Sequence, residues 1–151
     1  MTINHPQSFS VILADDDEDD RLFFREAIQD LNINASLVVV NDGTQLMSYL
    51  NRNDTILPKL IFLDINMPGK NGIKILQDIR HTDLLKELPV AIYSTSTSPK
   101  DVKSALDNGA DVYIKKPSDY DGLKKILSKA ILSNWRTKSS INTKDNFVLS
   151  L

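Results

Sequence analysis

The sequence predicts a doubly wound α/β sandwich, with a five-stranded parallel sheet covered by helices on both faces. Three observations predict it. Five short β-rich runs alternate with five segments of helical period. The β-rich runs are continuous in Val, Ile and Leu, as in strands covered on both faces, instead of alternating apolar with polar. The chain has 151 residues, 41% hydrophobic and 25% charged, which suits one packed domain.

The elements follow in order. A strand is expected over residues 8–14, then a helix over 21–31 with Leu22, Phe23, Ala27, Ile28 and Leu31 in a stripe. A strand over 36–41 precedes a helix over 45–51 carrying Leu46, Met47 and Leu50. A strand over 60–64 precedes a helix over 73–80, opened by the turn signal Asn71-Gly72 and carrying Ile73, Leu76 and Ile79. After a strand over 90–94, Ser98 reads as the N-cap, Pro99 as the first residue and Gly109 as the stop of a helix over 99–108. A strand over 111–115 and a helix over 121–134, with Leu123, Ile126, Leu127, Ala130 and Ile131 on one face, complete the pattern. Right-handed crossovers leave few topologies, and the flavodoxin-like strand order 2-1-3-4-5 leads.

The expected organisation is an N-terminal extension over 1–7, one domain over 8–134 and a tail over 135–151. Residues 137–146 are rich in Ser, Thr, Asn and Lys and read as linker. The tail then ends in Phe147-Val-Leu-Ser-Leu151. That pentamer reads either as a frayed terminus or as a segment docking on a groove or sheet edge of its own or a second chain.

Composition excludes several classes. No apolar run approaches the ~18–20 residues of a membrane span, and residues 1–10 lack the basic flank and apolar stretch of a secretion signal. There is no cysteine, so disulfide scaffolds, thiolate zinc sites and thiol nucleophiles are out. A net charge of −2 and a pI of about 5.6 give no general attraction to nucleic acid or anionic lipid. A cytoplasmic protein with neither nucleic acid nor membrane as partner is expected.

The charges are uneven. Asp15, Asp16, Asp17, Glu18, Asp19 and Asp20 are consecutive acids directly after the apolar run Val11-Ile-Leu-Ala14. Most charge runs are solvated loops, but a buried strand fixes where the carboxylates at its end point. In the predicted sheet, ligands bind outside the carboxyl ends of the strands. There the first strand ends in Asp15 and Asp16, the third in Asp64, the fourth in Ser94 and the fifth in Lys116 followed by Pro117. Three clustered carboxylates raise one another's pKa unless a cation joins them. Oxygen ligands without His or Cys favour Mg²⁺, Mn²⁺ or Ca²⁺, and a partly hydrated Mg²⁺ is the usual companion of a phosphoryl group. A carboxylate serves as nucleophile in phosphoryl transfer, an ammonium neutralises oxygen charge, and a hydroxyl hydrogen-bonds the transferred group. Asp17 is the tempting further acid, one step past the pair. Glu18, Asp19 and Asp20 read as charges at a helix N-terminus.

With these residues in hand, the sequence resembles the receiver domain of two-component response regulators (CheY-like) over about residues 8–134. The motifs that carry the resemblance are Val11-Ile-Leu-Ala-Asp-Asp-Asp17, Leu60-Ile-Phe-Leu-Asp-Ile-Asn-Met-Pro-Gly69 with Asn71-Gly72, Pro89-Val-Ala-Ile-Tyr-Ser-Thr95, and Gly109-Ala-Asp-Val-Tyr-Ile-Lys-Lys-Pro117. The resemblance implies that Asp64 is the phospho-acceptor. It implies Mg²⁺, with Mn²⁺ as the alternative, held by Asp15, Asp16, Asp64 and the backbone carbonyl of Asn66. Ser94 matches the switch hydroxyl, Lys116 the family's lysine, and Tyr113 the aromatic that changes rotamer. Lys115 competes for the lysine role, but the Lys-Pro register selects Lys116. A cis bond before Pro117 rests on the resemblance alone.

The implied activity is a phosphorylation switch, not an enzyme in its own right beyond self-phosphorylation and autodephosphorylation. A sensor histidine kinase or phosphotransfer protein would donate to Asp64. Ser94 would swing inward, vacating space for Tyr113, and Asn66 and Ser96 would flank the path of the hydrolytic water. The stretch after residue 134 is too short for an output domain, so a stand-alone regulator acting by protein contact, or as a phosphorelay intermediate, is expected; homodimerisation is implied by resemblance only. The longish segments 52–58 and 81–89 resemble short regulators that partner bacteriophytochrome-type kinases. His5 and His81 read as surface residues, Trp135 as packing the end of the last helix, and Tyr93 and Tyr120 have no assigned role.

Rival readings are weaker. A haloacid-dehalogenase-type phosphatase needs an acid two residues after the nucleophile, where this chain has Asn66. A flavodoxin-type cofactor binder would face repulsion between the acidic rim and a flavin phosphate. A degenerate receiver working without phosphate would be expected to lack key side chains that are present here.

Overall fold

The first apolar run folds as β1 (Phe9–Ala14), and its alternate residues part between two cores. Val11 and Leu13 face one layer, Ile12 and Ala14 the other. The same division runs through β3 (Leu60–Leu63), where Leu60 and Phe62 oppose Ile61 and Leu63. A strand sharing both faces with helices has no polar side, which is why these runs are apolar throughout. The structure is a computed structural model and describes residues 9–52, 54, 56–67, 69, 71–132 and 148–149. His5, Trp135 and residues 133–134 of the expected last helix lie outside the described residues.

The remaining elements are α1 (Glu18–Asp30), β2 (Ala35–Val40), α2 (Gly43–Leu50), α3 (Gly72–Arg80), β4 (Val90–Ser94), α4 (Pro99–Asp107), β5 (Val112–Lys115), α5 (Tyr120–Leu132) and β6 (Val148–Leu149). Helices α1 and α5 pack the layer of Phe24, Ala27, Leu123 and Leu127; α2, α3 and α4 pack the layer of Leu46, Leu76 and Ala105. All strand pairs are parallel. The chain thus has the flavodoxin-like α/β arrangement, but the sheet has six strands in the order β2-β1-β3-β4-β5-β6, not the five expected. The reason lies at the sheet margin. The order 2-1-3-4-5 leaves β5 with unpaired backbone groups. Val148 and Leu149 of the tail fill that edge, in register with Tyr113 and Ile114. Val148 packs on one core layer and Leu149 on the other. At the opposite margin, β2 is only half-buried, because an edge strand lacks a neighbour on one side.

Helix starts follow side-chain caps. α1 begins at Glu18, earlier than the apolar stripe indicated, because the Asp17 carboxylate accepts the Asp20 N–H at 3.0 Å. Asp42, Asn71 and Ser98 do the same for α2, α3 and α4. Gly72 is a packing requirement: a Cβ there would overlap the backbone carbonyl of Asp64. At the far end of the sheet, Arg80 ties several loops together. Its guanidinium donates to the carbonyls of Leu88 (2.7 Å), Lys86 (3.0 Å) and Gly109 (2.9 Å) and pairs with Asp111 at 3.0 Å. No helix among the described residues is long and apolar enough to cross a membrane.

Candidate functional site

Parallel strands end at one rim, so the residues just past them meet there. Asp15 follows β1 and is buried without residual exposure; Asp64 follows β3 and is 5% exposed. Neighbouring register sets their spacing, since Ala14 pairs with Leu63 directly before the two acids. Asp16 is exposed. Oxygen atoms of Asp15, Asp16 and Asp64 lie within 4.8 Å of one another.

Lys116, just past β5, projects into this cluster. Its Nζ lies 2.9 Å from Asp15 Oδ2, 3.0 Å from Asp64 Oδ2 and 2.8 Å from Asp20 Oδ2. Lys115 is exposed, because side chains alternate along an extended chain. The Lys116 backbone N–H is held by the Ser94 carbonyl at 2.8 Å. Its ammonium also stands 5.2 Å from the centroid of the Tyr93 ring, which packs edge-on with Phe24 and Phe62. The Lys116–Pro117 bond is trans, as no described peptide bond is cis.

The two buried carboxylates each have a second anchor. Asp15 Oδ1 accepts the Asp17 N–H at 2.9 Å, and Asp64 Oδ1 accepts the Asn66 N–H at 3.0 Å. The Asp15 backbone carbonyl accepts from Arg21 Nη1 at 2.9 Å. Burial pushes the Asp15 carboxyl up to about 6, against the Asp17 N–H and the Lys116 ammonium, which both favour ionisation. For Lys116, burial works against the charged form. The hydrogen bonds to Asp20 and Asp15 and the charges of Asp15 and Asp64 outweigh it and hold the ammonium above the usual lysine range.

On the next strand the Ser94 hydroxyl is buried and its Oγ accepts the Ser96 N–H at 3.1 Å. Tyr113 is fully buried, and its hydroxyl donates to the Ser96 carbonyl at 2.6 Å. The Tyr113 hydroxyl also lies within hydrogen-bonding reach of Ser94. The Ser96 hydroxyl donates to Asp101 Oδ2 at 2.5 Å, fastening the start of α4 to the same loop.

Asp17 is the α1 cap, not part of the cluster. The residue missed by reading the sequence is Asp20. A signal was available: it precedes Phe24 by one helical turn and so heads the buried stripe of Phe24, Ala27 and Ile28. His81 sits at the end of α3 with Nδ1 2.7 Å from the Gln77 carbonyl, away from the rim. Tyr120 donates its hydroxyl to Asp30 at 2.6 Å, clasping α5 to α1.

The donor set fits a hard divalent cation: carboxylate oxygens only, converging, with Asp15 and Asp64 buried and burial raising the Asp15 pKa. The Lys116 ammonium already occupies a cation's place between Asp15 and Asp64.

Known proteins resemble this chain in sequence and in fold. The response regulator receiver domain model matches residues 11–128. Response regulator Rcp1 of Synechocystis sp. is 28% identical over 129 residues, covering 83% of this chain and 87% of its own. Among solved structures, the phosphorylated cyanobacterial phytochrome response regulator RcpA superimposes with a TM-score of 0.76 at 29% identity, covering 88% of this chain and 97% of its own. The Mn²⁺-bound form of response regulator Rcp1 gives a TM-score of 0.75 at 25% identity, with 83% and 96% coverage.

Proposed function

The chain belongs to the response regulator receiver domain family, and from that premise we propose a phosphorylation switch centred on Asp64. Receiver domains are phosphoacceptors of two-component signalling, fed by histidine kinases, and their phosphorylation drives a conformational change. The observation that carries the reading for this chain is the grip of one ammonium, Lys116, on the carboxylates of Asp64 and Asp15 at the strand ends.

In this reading an Asp64 carboxylate oxygen attacks the phosphorus of a phosphohistidine. The P–O bond forms as the P–N bond breaks, and the imidazole leaves. Asp15, Asp16 and Asp64, with the Asn66 carbonyl, would hold Mg²⁺ or Mn²⁺, whose charge offsets that of the phosphoryl oxygens. Lys116 neutralises charge on the transferred group, and the Asn66 N–H keeps Asp64 oriented through its other oxygen. Ser94 hydrogen-bonds the arrived phosphoryl group. Tyr113 and the loop fastened by Ser96 and Asp101 communicate that contact to the α4–β5–α5 face, where partner preference changes, including pairing with a second copy. Asn66 and Ser96 flank the hydrolytic water and set the lifetime of the aspartyl phosphate. The receiver over residues 8–134 acts in the cytoplasm and signals by protein contact, with a kinase of the phytochrome type as donor.

The test is intact-mass measurement after incubation with acetyl phosphate and Mg²⁺, beside Asp64→Asn. One phosphoryl adduct on the wild type, absent without Mg²⁺ and absent in the variant, is expected. An unmodified wild type would move the reading to a phosphate-independent interaction module.

A further inference from the structure

Lys116 carries three N–H donors, and three carboxylates take them: Asp15, Asp20 and Asp64, at 2.8–3.0 Å. An ammonium saturated in this way has no free donor for a phosphoryl oxygen. Phosphorylation of Asp64 at Oδ2 releases one Lys116 donor to the phosphoryl group, and any further contact from Lys116 has to displace Asp15 or Asp20. The three partners are not equally able to leave. Asp15 is fully buried, sits at the end of a central strand and is anchored by the Asp17 N–H. Asp64 carries the phosphoryl group itself. Asp20 belongs to the first turn of α1, its side chain is 37% exposed, and it borders an open cavity of about 280 Å³ shared with Phe23, Tyr93, Pro117 and Leu123. Water is available to it as soon as it lets go.

We propose that Asp20 is a positioning residue that acts through Lys116: a resident carboxylate that holds the lysine in the unphosphorylated state and competes with the phosphoryl group for it. The proposal rests on Asp64 being the phospho-acceptor. Its consequence is a built-in penalty on the phosphorylated state, set by the strength of a single part-exposed ion pair. The helix cap does not need Asp20. The Asp17 N–H, the donor that an acid at this position of a helix usually satisfies, is already taken by Asp15 Oδ1.

The experiment is a titration of the full chain with beryllofluoride at saturating Mg²⁺, read by calorimetry, on the wild type and on Asp20→Asn, Asp20→Ala, Asp20→Glu and Asp19→Asn. Asp19 is the control, because it lies one residue away, carries the same charge and is exposed. Asp20→Asn and Asp20→Ala are expected to bind beryllofluoride about three- to tenfold more tightly, the worth of one part-exposed charge pair. Asp19→Asn should stay within about twofold of the wild type, as expected of an exposed charge without a direct pair. Asp20→Glu, which keeps the charge in reach of Lys116, should return toward the wild-type affinity. A purely structural role would weaken binding or leave it unchanged, and would not be restored by Glu. Unchanged affinity in Asp20→Asn, or an equal gain in Asp19→Asn, overturns the proposal while leaving the acceptor reading intact. A wild type that binds no beryllofluoride overturns the acceptor reading, and the proposal with it.

Discussion

Tyr113 and Ser96 are joined by a hydrogen bond of 2.6 Å, from the phenol of a fully buried ring to a backbone carbonyl at the start of the β4–α4 loop. That one contact couples β5 to the loop that follows Ser94. Tyr113→Phe keeps the ring and orphans the carbonyl. It is expected to cost about 1 kcal/mol of stability in urea denaturation. Amide exchange at Ser96–Ser98 should rise while that of β1 stays unchanged, and uniform exchange across both would contradict the coupling.

The raised carboxyl of Asp15 makes the metal-free protein pH-sensitive. Burial lifts it from about 3.8 to about 6, so the folded state holds this proton more tightly than the unfolded chain. The stabilisation is complete below about pH 4 and is lost as pH rises to about 6. In the presence of a chelator, Asp15→Asn should therefore be more stable than the wild type by roughly 1–3 kcal/mol at pH 7.5, and the gap should close toward pH 4. Urea midpoints at the two pH values check the sign.

Divalent affinity should fall as pH drops through about 6, because Asp15 must release its proton to become a ligand. Asp16 separates metal binding from folding. It is exposed, so Asp16→Asn should shift the melting temperature of the chelated protein by under about 2 °C. Its Mn²⁺ affinity, read by electron paramagnetic resonance, should weaken about tenfold or more.

Gly72 packs against the backbone of Asp64 from behind. A Cβ at this position would overlap the Asp64 carbonyl and press on the Ile65 backbone, neither of which is a flexible side-chain end. Gly72→Ala is expected to lower stability by roughly 2–4 kcal/mol. It should also slow phosphorylation by acetyl phosphate, through displacement of Asp64. A variant as stable and as reactive as the wild type would show that α3 shifts freely.

Removal of Val148–Leu151 reopens the β5 edge. The loss of two paired, half-buried residues should cost about 1–2 kcal/mol. Amide exchange at Tyr113 and Ile114, the register partners of Val148 and Leu149, should accelerate while β3 remains protected. Equal protection in both forms would show that β6 does not close the edge in solution.

The sequence by itself determined the alternation of strands and helices and the side of the sheet where chemistry gathers. Both are local. Runs such as Leu60–Leu63 are apolar throughout because both faces are covered, and the acids and the lysine stand directly after such runs. The choice of Lys116 over Lys115 also came from a local motif. Tertiary structure alone decided three other things. It paired Asp20 with Lys116 across 96 positions of sequence, where chain spacing says nothing about contact. It placed Val148 and Leu149 against β5, because backbone pairing carries little side-chain code and any open edge of suitable reach would serve. And it buried Tyr113 with its hydroxyl on Ser96, since a rotamer is set by the cavity that neighbouring elements leave and not by the residues beside it in the chain.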